Sequence, residues 1–441
     1  IDVFANQSIT STGYENVTLN TGAVANGAAQ TTGTITINAD TAASPTSYTV
    51  AGTNALTTTS LVTNSTGLMT VNASGLTAQP AGTNTLTISG TTSGTAGTQS
   101  ITGSNGDDII QIGAFAATIS GGLGDDSIVG GSAASNLSGG DGNDTLTGGA
   151  ANDVISGGNG NDSITSGTGN DSLTGGDGND IFNLGTSLTA ADTIDGGAGT
   201  NSLSIVAGTS TSSAIFANVT NIQEVALTGT GTVTLIAPLS SSATTFDLSS
   251  AEATTLILAA GYTGATTVLE TKGNISNGTN IDVITNNANV ALTVQGKVAD
   301  LNTVSITGGT GTDALILTAD SGSADLTNTS SIDTITMVAG ATATATAVLS
   351  NAVSATGRTL AVDASAMTNT AATFGFSGKS SQAGGVNVTG ATTAVNTITL
   401  SNFAGANTVT GGSGADSITS GSGTDSLAGG AGSDAYIFGT R

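Results

Sequence analysis

Between Gly103 and Asn183 a nine-residue unit repeats nine times without insertion or deletion, and no other feature of the chain restricts its fold as much. From Gly121 the units read GGLGDDSIV, GGSAASNLS, GGDGNDTLT, GGAANDVIS, GGNGNDSIT, SGTGNDSLT and GGDGNDIFN. GSNGDDIIQ at Gly103 and IGAFAATIS at Ile112 precede them in the same frame. The eighth position is always apolar: Ile110, Ile119, Ile128, Leu137, Leu146, Ile155, Ile164, Leu173 and Phe182. The sixth is Asp at Asp108, Asp126, Asp144, Asp153, Asp162, Asp171 and Asp180. A flexible Gly/Asp linker would hold neither position, so the period predicts an ordered block built around a metal.

The unit G-G-x-G-x-D-x-U-x, with U apolar, has a mechanical reading. Glycines at positions 1, 2 and 4 allow a tight turn through dihedrals closed to other residues. That turn aims backbone carbonyls inward, where they need a partner. Carbonyls of Gly122, Gly124, Gly140, Gly142, Gly158, Gly160, Gly176 and Gly178 are candidate contributors beside the Asp carboxylates. Positions 7 to 9 form a short strand whose central residue points inward. Two units make a coil of about 18 residues, so each unit stacks on the next but one. An all-oxygen site with a flexible ligand number suits Ca²⁺ rather than zinc or copper.

Stacking makes the block lopsided. One edge carries Asp108, Asp126, Asp144, Asp162 and Asp180, which predicts four inter-turn sites. The other reads Ala117, Ser135, Asp153, Asp171, with a single full pair. Asp107 and Asp125, at the fifth position, are expected to face solvent and add only electrostatic field. The motif returns at 402–437 as NFAGANTVT, GGSGADSIT, SGSGTDSLA and GGAGSDAYI, giving Asp416/Asp434 as a full pair and Asn407/Asp425 as a weaker one. The pairings amount to about six to seven Ca²⁺ ions. Both blocks finish with an aromatic at the inward position, Phe182 and Tyr436. These rings either plug the end of a narrow solenoid or vary at a tolerant apolar site.

Composition narrows the rest. The formal net charge is −25, with 30 acidic residues against five basic ones. Nucleic acid and anionic lipid are therefore poor partners, and divalent cations good ones. Cys and His are absent, which excludes disulfides, thiolate sites and every His-dependent catalytic arrangement. No H-E-x-x-H or nucleophile-elbow triad can be assembled, and the scattered acids Asp247, Glu252 and Asp363 form no cluster in sequence. The chain is therefore not expected to be an enzyme. No apolar run approaches the length of a membrane-spanning helix, so no transmembrane segment is expected. Ile1 is not an initiator Met, and the chain is expected to be a processed part of a longer precursor.

Four regions follow: a Thr/Asn-rich β domain at 1–102, the first repeat block at 103–200, a strand array at 201–401 and the second block at 402–441. In the first region Ser47–Val50, Leu68–Val71 and Thr85–Ile88 read as strands. In the third, apolar pulses recur at Val225–Leu227, Val233–Leu235, Phe246–Leu248, Leu256–Leu258, Val290–Val294, Val304–Ile306 and Leu315–Leu317. A wider β-solenoid and a β-sandwich both fit. The lone unit GGTGTDALI at Gly308 favours the solenoid.

The two blocks resemble the RTX (repeats-in-toxin) family of calcium-binding β-rolls, secreted by Gram-negative bacteria through type I export. The resemblance implies an all-β, right-handed parallel β-roll with Ca²⁺ between turns. RTX substrates usually carry tens of residues after the last repeat; here Gly439–Arg441 follow Phe438, and a C-terminal loss is expected. SLTAADTIDGGAGTNSLSI and FANVTNIQEVALTG at Phe216 are similar to segments of RTX-containing bacterial surface-layer (S-layer) proteins. That likeness implies a structural protein of the cell surface, self-assembling into a Ca²⁺-dependent lattice, with lipopolysaccharide or another surface anchor as a candidate partner. The alternative is a large type I-secreted RTX adhesin or extracellular matrix protein.

The glycines lose much backbone entropy on ordering, and a narrow interior offers little apolar area in return. Without metal, stacked carboxylates also repel one another. The repeats are therefore expected to be disordered in EDTA and to fold as Ca²⁺ binds; a circular dichroism spectrum unmoved by EDTA would contradict this.

Overall fold

The computed structural model describes residues 99–207, 213–235, 244–258, 304–318 and 385–438 continuously, and elsewhere individual strands with a few flanking residues. The fold is an all-β parallel β-solenoid, as the period predicts. Two compact units form, 1–205 with 217–222, and 206–216 with 223–441.

In the first unit two parallel ladders carry the apolar rungs. One runs Ile88, Ile110, Ile128, Leu146, Ile164, Phe182, Leu203. The other runs Val71, Ile101, Ile119, Leu137, Ile155, Leu173, Ile194, Val219. None of these side chains is more than 3% exposed. The eighth position thus builds a continuous column of side chains between two sheets, each rung touching the one a coil away. From Ile110 to Phe182 the coil length is 18 residues. After Leu173 and Phe182 it becomes 21, where the 184–192 segment adds three residues.

The strands run further than positions 7 to 9. In the second ladder Ala117–Leu123, Ser135–Asp141, Val154–Asn159 and Ser172–Asp177 continue through the glycine pair, so that Gly122, Gly140, Gly158 and Gly176 are themselves in register. A glycine backbone can join a parallel ladder because the hydrogen bonds lie along the stack and no Cβ intrudes.

The expected strands at 1–102 fall in Thr46–Gly52, Met69–Leu76 and Leu86–Ser89; Leu68 and Thr85 lie outside the described residues. In the second unit the pulses form two parallel columns. A short one runs Val233, Leu256, Ile284, Ile306, and a long one runs Val225, Phe246, Val268, Val294, Leu315, Ile335, Val362, Val388, Val409, Leu427. A sandwich would need antiparallel pairing, whereas the long column passes from the strand array straight into the second repeat block. Before the second repeat block its coils are longer than 18 residues: 21 from Val225 to Phe246 and 26 from Val268 to Val294. Val290 lies outside the described residues.

The capping reading of Phe182 is overturned. Its ring is fully buried between Ile164 and Leu203, because the 188–204 segment adds another turn beyond it. Tyr436 is the last described rung of its own ladder, above Ile418, and is 41% exposed. Its hydroxyl accepts the Gly429 N–H at 2.6 Å.

Glycine is demanded here mainly by the closeness of successive coils. At Gly140, φ is +130° and a Cβ would overlap the Gly122 carbonyl oxygen. At Gly185 φ is +54°, but nothing lies within 4 Å. Gly185→Ala should therefore cost only about 1 kcal/mol of left-handed strain. Gly140→Ala adds a backbone collision and should cost about 3 kcal/mol or more. Opening free energies from hydrogen exchange across 117–205, measured in Ca²⁺, check the contrast.

Candidate metal centre

The sixth-position side chains of the first unit form two rails along the coil edges. On the first, the Asp126 Oδ1 accepts the Asp108 backbone N–H at 2.8 Å, and Asp144 accepts from Asp126 at 2.7 Å. Asp162 accepts from Asp144 at 2.8 Å and Asp180 from Asp162 at 2.9 Å. Asn201 follows on this rail by accepting the Asp180 N–H, and its amide donates to the Asn221 carbonyl. The second rail runs Ser135 N–H to Asp153, Asp153 N–H to Asp171, and Asp171 N–H to Asp192. The predicted stacking of each unit on the next but one is the stacking observed.

These carboxylates are buried: Asp108, Asp126, Asp144, Asp153, Asp162 and Asp180 are at most 2% exposed. Oδ1 is used by the rail. Oδ2 of Asp126, Asp144, Asp153, Asp162 and Asp180 is buried with no hydrogen-bond partner among the described residues. Five buried, unpartnered anionic oxygens are costly unless a cation meets them.

The space beside each Oδ2 identifies the other oxygens. A Cβ added to Gly139 would meet Asp144 Oδ2 on one side and the Gly157 carbonyl oxygen, 2.7 Å away, on the other. Gly121 faces Asp126 Oδ2 and the Gly139 carbonyl, Gly157 faces Asp162 Oδ2 and the Gly175 carbonyl, and Gly175 faces Asp180 Oδ2 and the Gly196 carbonyl. On the second rail Gly148 faces Asp153 Oδ2 and the Ser166 carbonyl. At each of these places a carboxylate Oδ2 without a donor lies close to a backbone carbonyl oxygen, an all-oxygen set that fits Ca²⁺. The sixth-position Asp and the first-position carbonyl of the following coil would hold the ion. Among the described residues no group of three or more acidic side chains forms a metal cluster, so most ligands would come from the backbone.

The expected glycines Gly122, Gly124, Gly140, Gly142, Gly158, Gly160, Gly176 and Gly178 stack over one another, with the Gly124 carbonyl beneath Gly142 and the Gly142 carbonyl beneath Gly160. The first-position glycines were not among the residues singled out from sequence, although each opens its unit in the same frame. Asp192 was also missed. Counting nine residues back from Gly196 places it at a sixth position, but the longer coil hides the frame when it is read forward. In the second unit Asp416 accepts the Asn396 N–H, Asp434 accepts the Asp416 N–H at 3.0 Å, and Asn407 donates from its amide to Asp425 at 2.7 Å.

The fifth-position acids do more than add field. Asp107 accepts the Asp125 N–H at 3.0 Å, and Asp125 accepts the Asn143 N–H at 2.7 Å. Asn143, Asn161 and Asn179 carry this outer rail on to Thr200. A short Asp or Asn reaches the next coil's N–H while remaining at the surface, so position 5 pins the turns together.

Burial raises the pKa of Asp126 to about 8, assisted by the charges of Asp108 and Asp144 and opposed by the Asp108 N–H. Burial likewise lifts Asp144, Asp153 and Asp162 to about 6, and raises Asp180.

A family model described as RTX calcium-binding nonapeptide repeat (4 copies) matches residues 93–111, 113–137, 120–155, 131–164, 156–186, 188–204 and 402–436. The 188–204 match includes Asp192 and Asn201. No curated protein matches the chain.

A carboxylate whose folded pKa lies above its unfolded value of 3.8 favours the folded state only when protonated. That contribution is complete below 3.8 and is lost as the pH rises through about 6 at Asp144, Asp153 and Asp162, and about 8 at Asp126. In EDTA the first block should therefore gain β-structure as the pH falls from 8 toward 4, while Ca²⁺ affinity weakens over the same range because protons compete for the ligands. Circular dichroism and calcium titration at stepped pH read both; β-signal lost on acidification in EDTA would contradict the scheme.

Proposed function

We propose that this calcium-binding RTX-repeat protein is a structural component of a bacterial surface layer, assembling into a Ca²⁺-dependent lattice on a Gram-negative cell and having no catalytic role. RTX repeats are typical of secreted proteins, and no helix among the described residues is long and apolar enough to cross a membrane. Above about 10⁻⁴–10⁻³ M, the range of extracellular calcium modules, such sites fill outside a cell and empty in cytosol.

The observation that carries the reading is the continuity of the parallel ladders. In each unit an unbroken column of apolar rungs links repeat turns to Thr- and Ala-rich strands, giving a stiff body with small, mostly uncharged side chains outward. Such surfaces suit edge-to-edge packing of many copies, with Ca²⁺ offsetting an acidic charge of −25. Lipopolysaccharide or another surface component would anchor the layer, and further copies of the chain are its main partner. The second reading is a type I-secreted RTX adhesin or matrix protein, in which the same rolls act as stiffeners. Its support is the same rigidity, without the demand for self-contact.

Electron microscopy of purified chain in millimolar Ca²⁺, with an EDTA control, separates the two. Two-dimensional sheets that dissolve in EDTA are expected for the surface-layer reading. A chain that stays monomeric in Ca²⁺ would favour the adhesin.

A further inference from the structure

The sixth-position carboxylates fall into two chemical classes, divided by whether Oδ2 meets a donor. At Asp313, Asp416 and Asp425 of the second unit an asparagine amide reaches Oδ1, and the N–H four residues earlier in the same turn reaches Oδ2. Asp313 Oδ1 accepts the Asn286 amide at 2.8 Å and the Leu292 N–H at 3.0 Å, and its Oδ2 accepts the Gly309 N–H at 2.7 Å. Asp416 Oδ1 accepts both the Asn396 N–H, at 2.8 Å, and its amide, at 2.9 Å, while Oδ2 accepts the Gly412 N–H at 2.9 Å. Asp425 Oδ1 accepts the Asn407 amide at 2.7 Å, and Oδ2 the Gly421 N–H at 2.8 Å. Asp434, the remaining partner there, is only half-buried.

In the first unit the neighbours of Asp126, Asp144, Asp162 and Asp180 are aspartates, which cannot donate when ionised. The neighbour of Asp153 is Ser135, whose hydroxyl is turned to the Ala133 carbonyl. In all five, Oδ2 is left without a donor. Two carboxylates of the first unit belong to the closed class: at Asp108 the Ser104 N–H reaches Oδ2 and its hydroxyl Oδ1, and at Asp192 the Thr189 N–H reaches Oδ2 at 2.6 Å.

A carboxylate with donors on both oxygens is stabilised as an anion by those bonds alone. The donor hydrogens also occupy the directions from which a cation would approach. An Asn amide can only donate toward a carboxylate, so its orientation here is set by chemistry. From this division we infer that Ca²⁺ is required by the first roll only. The turns of Asp313, Asp416 and Asp425 in the second unit close on their own amides and backbone N–H groups and fold without metal. The inference rests on the calcium reading of the first block, and it lowers the ion count from six or seven toward five, one for each unpartnered Oδ2.

Hydrogen exchange of the full chain, read by mass spectrometry in EDTA and in Ca²⁺, tests this. At Ca²⁺ about 100-fold above the dissociation constant, peptides within 117–183 should exchange about 100-fold more slowly than in EDTA. Peptides within 396–436 should be protected in both buffers. Parallel loss of protection in the two blocks on EDTA treatment would overturn the inference while leaving the calcium reading standing. No response in either block would overturn both. The variant Asn396→Asp/Asn407→Asp removes the two amide donors. It should expose 396–436 by about 10- to 100-fold in EDTA, the value of hydrogen bonds to charged groups, and Ca²⁺ should restore protection. Protection of this variant in EDTA equal to wild type would also overturn the inference.

Discussion

One contact recurs through both units and the rest of the structure depends on it: a buried carboxylate or amide oxygen accepting the backbone N–H of the matching residue in the neighbouring coil. Backbone N–H groups at the edge of a solenoid turn cannot join either sheet, and buried donors must be satisfied. A side chain of Asp or Asn length reaches the next coil without widening the edge. Longer Glu would overshoot, which accounts for 30 acids that are nearly all Asp in a chain so short of charge. The glycines follow from the same contact, because the coil spacing it fixes leaves no room for a Cβ over Gly122 or Gly139.

The interior is a second consequence. In the first repeat block two facing ladders so close together admit one apolar rung each per coil, filled by Ile, Leu and a single Phe. The column then tolerates very different coil lengths, since only the rung and its two strand neighbours must stay in register. Between Ile110 and Phe182 every coil has 18 residues, yet in the second unit the column runs from Phe246 to Val409 through longer coils without losing a rung. Insertions go to the edges, where the chain can bulge outward.

Much of this was legible in the sequence because the fold is nearly one-dimensional. The eighth positions gave the column, the sixth positions gave the rails, and the spacing of two units gave the stacking. What could not be read arose where strict periodicity lapses or where backbone does the chemistry. Asp192 sits beyond a three-residue insertion, so forward counting passes it. Phe182 looked terminal for the same reason, although another turn covers it. The outer rail of Asp107, Asp125 and Asn143 was invisible because a surface acid has no pattern that distinguishes solvation from pinning. The division between open and donor-closed carboxylates depends on whether a backbone N–H of the same turn reaches Oδ2, a detail of turn geometry that the residue types do not announce.

The two buried rails also have a direction. Each sixth-position carboxylate reaches back to the coil that came before it in the chain, Asp126 to Asp108, Asp144 to Asp126, Asp171 to Asp153, while the outer rail reaches forward, Asp107 to Asp125. At the buried edge a newly formed turn therefore fastens its predecessor, and that edge stays loose until its successor arrives. Order spreads along such a chain as a ratchet, each coil locking the one already laid down. A defect at one Asp is felt first on its N-terminal side, so the two ends of the roll are mechanically unlike even though their sequences are nearly the same.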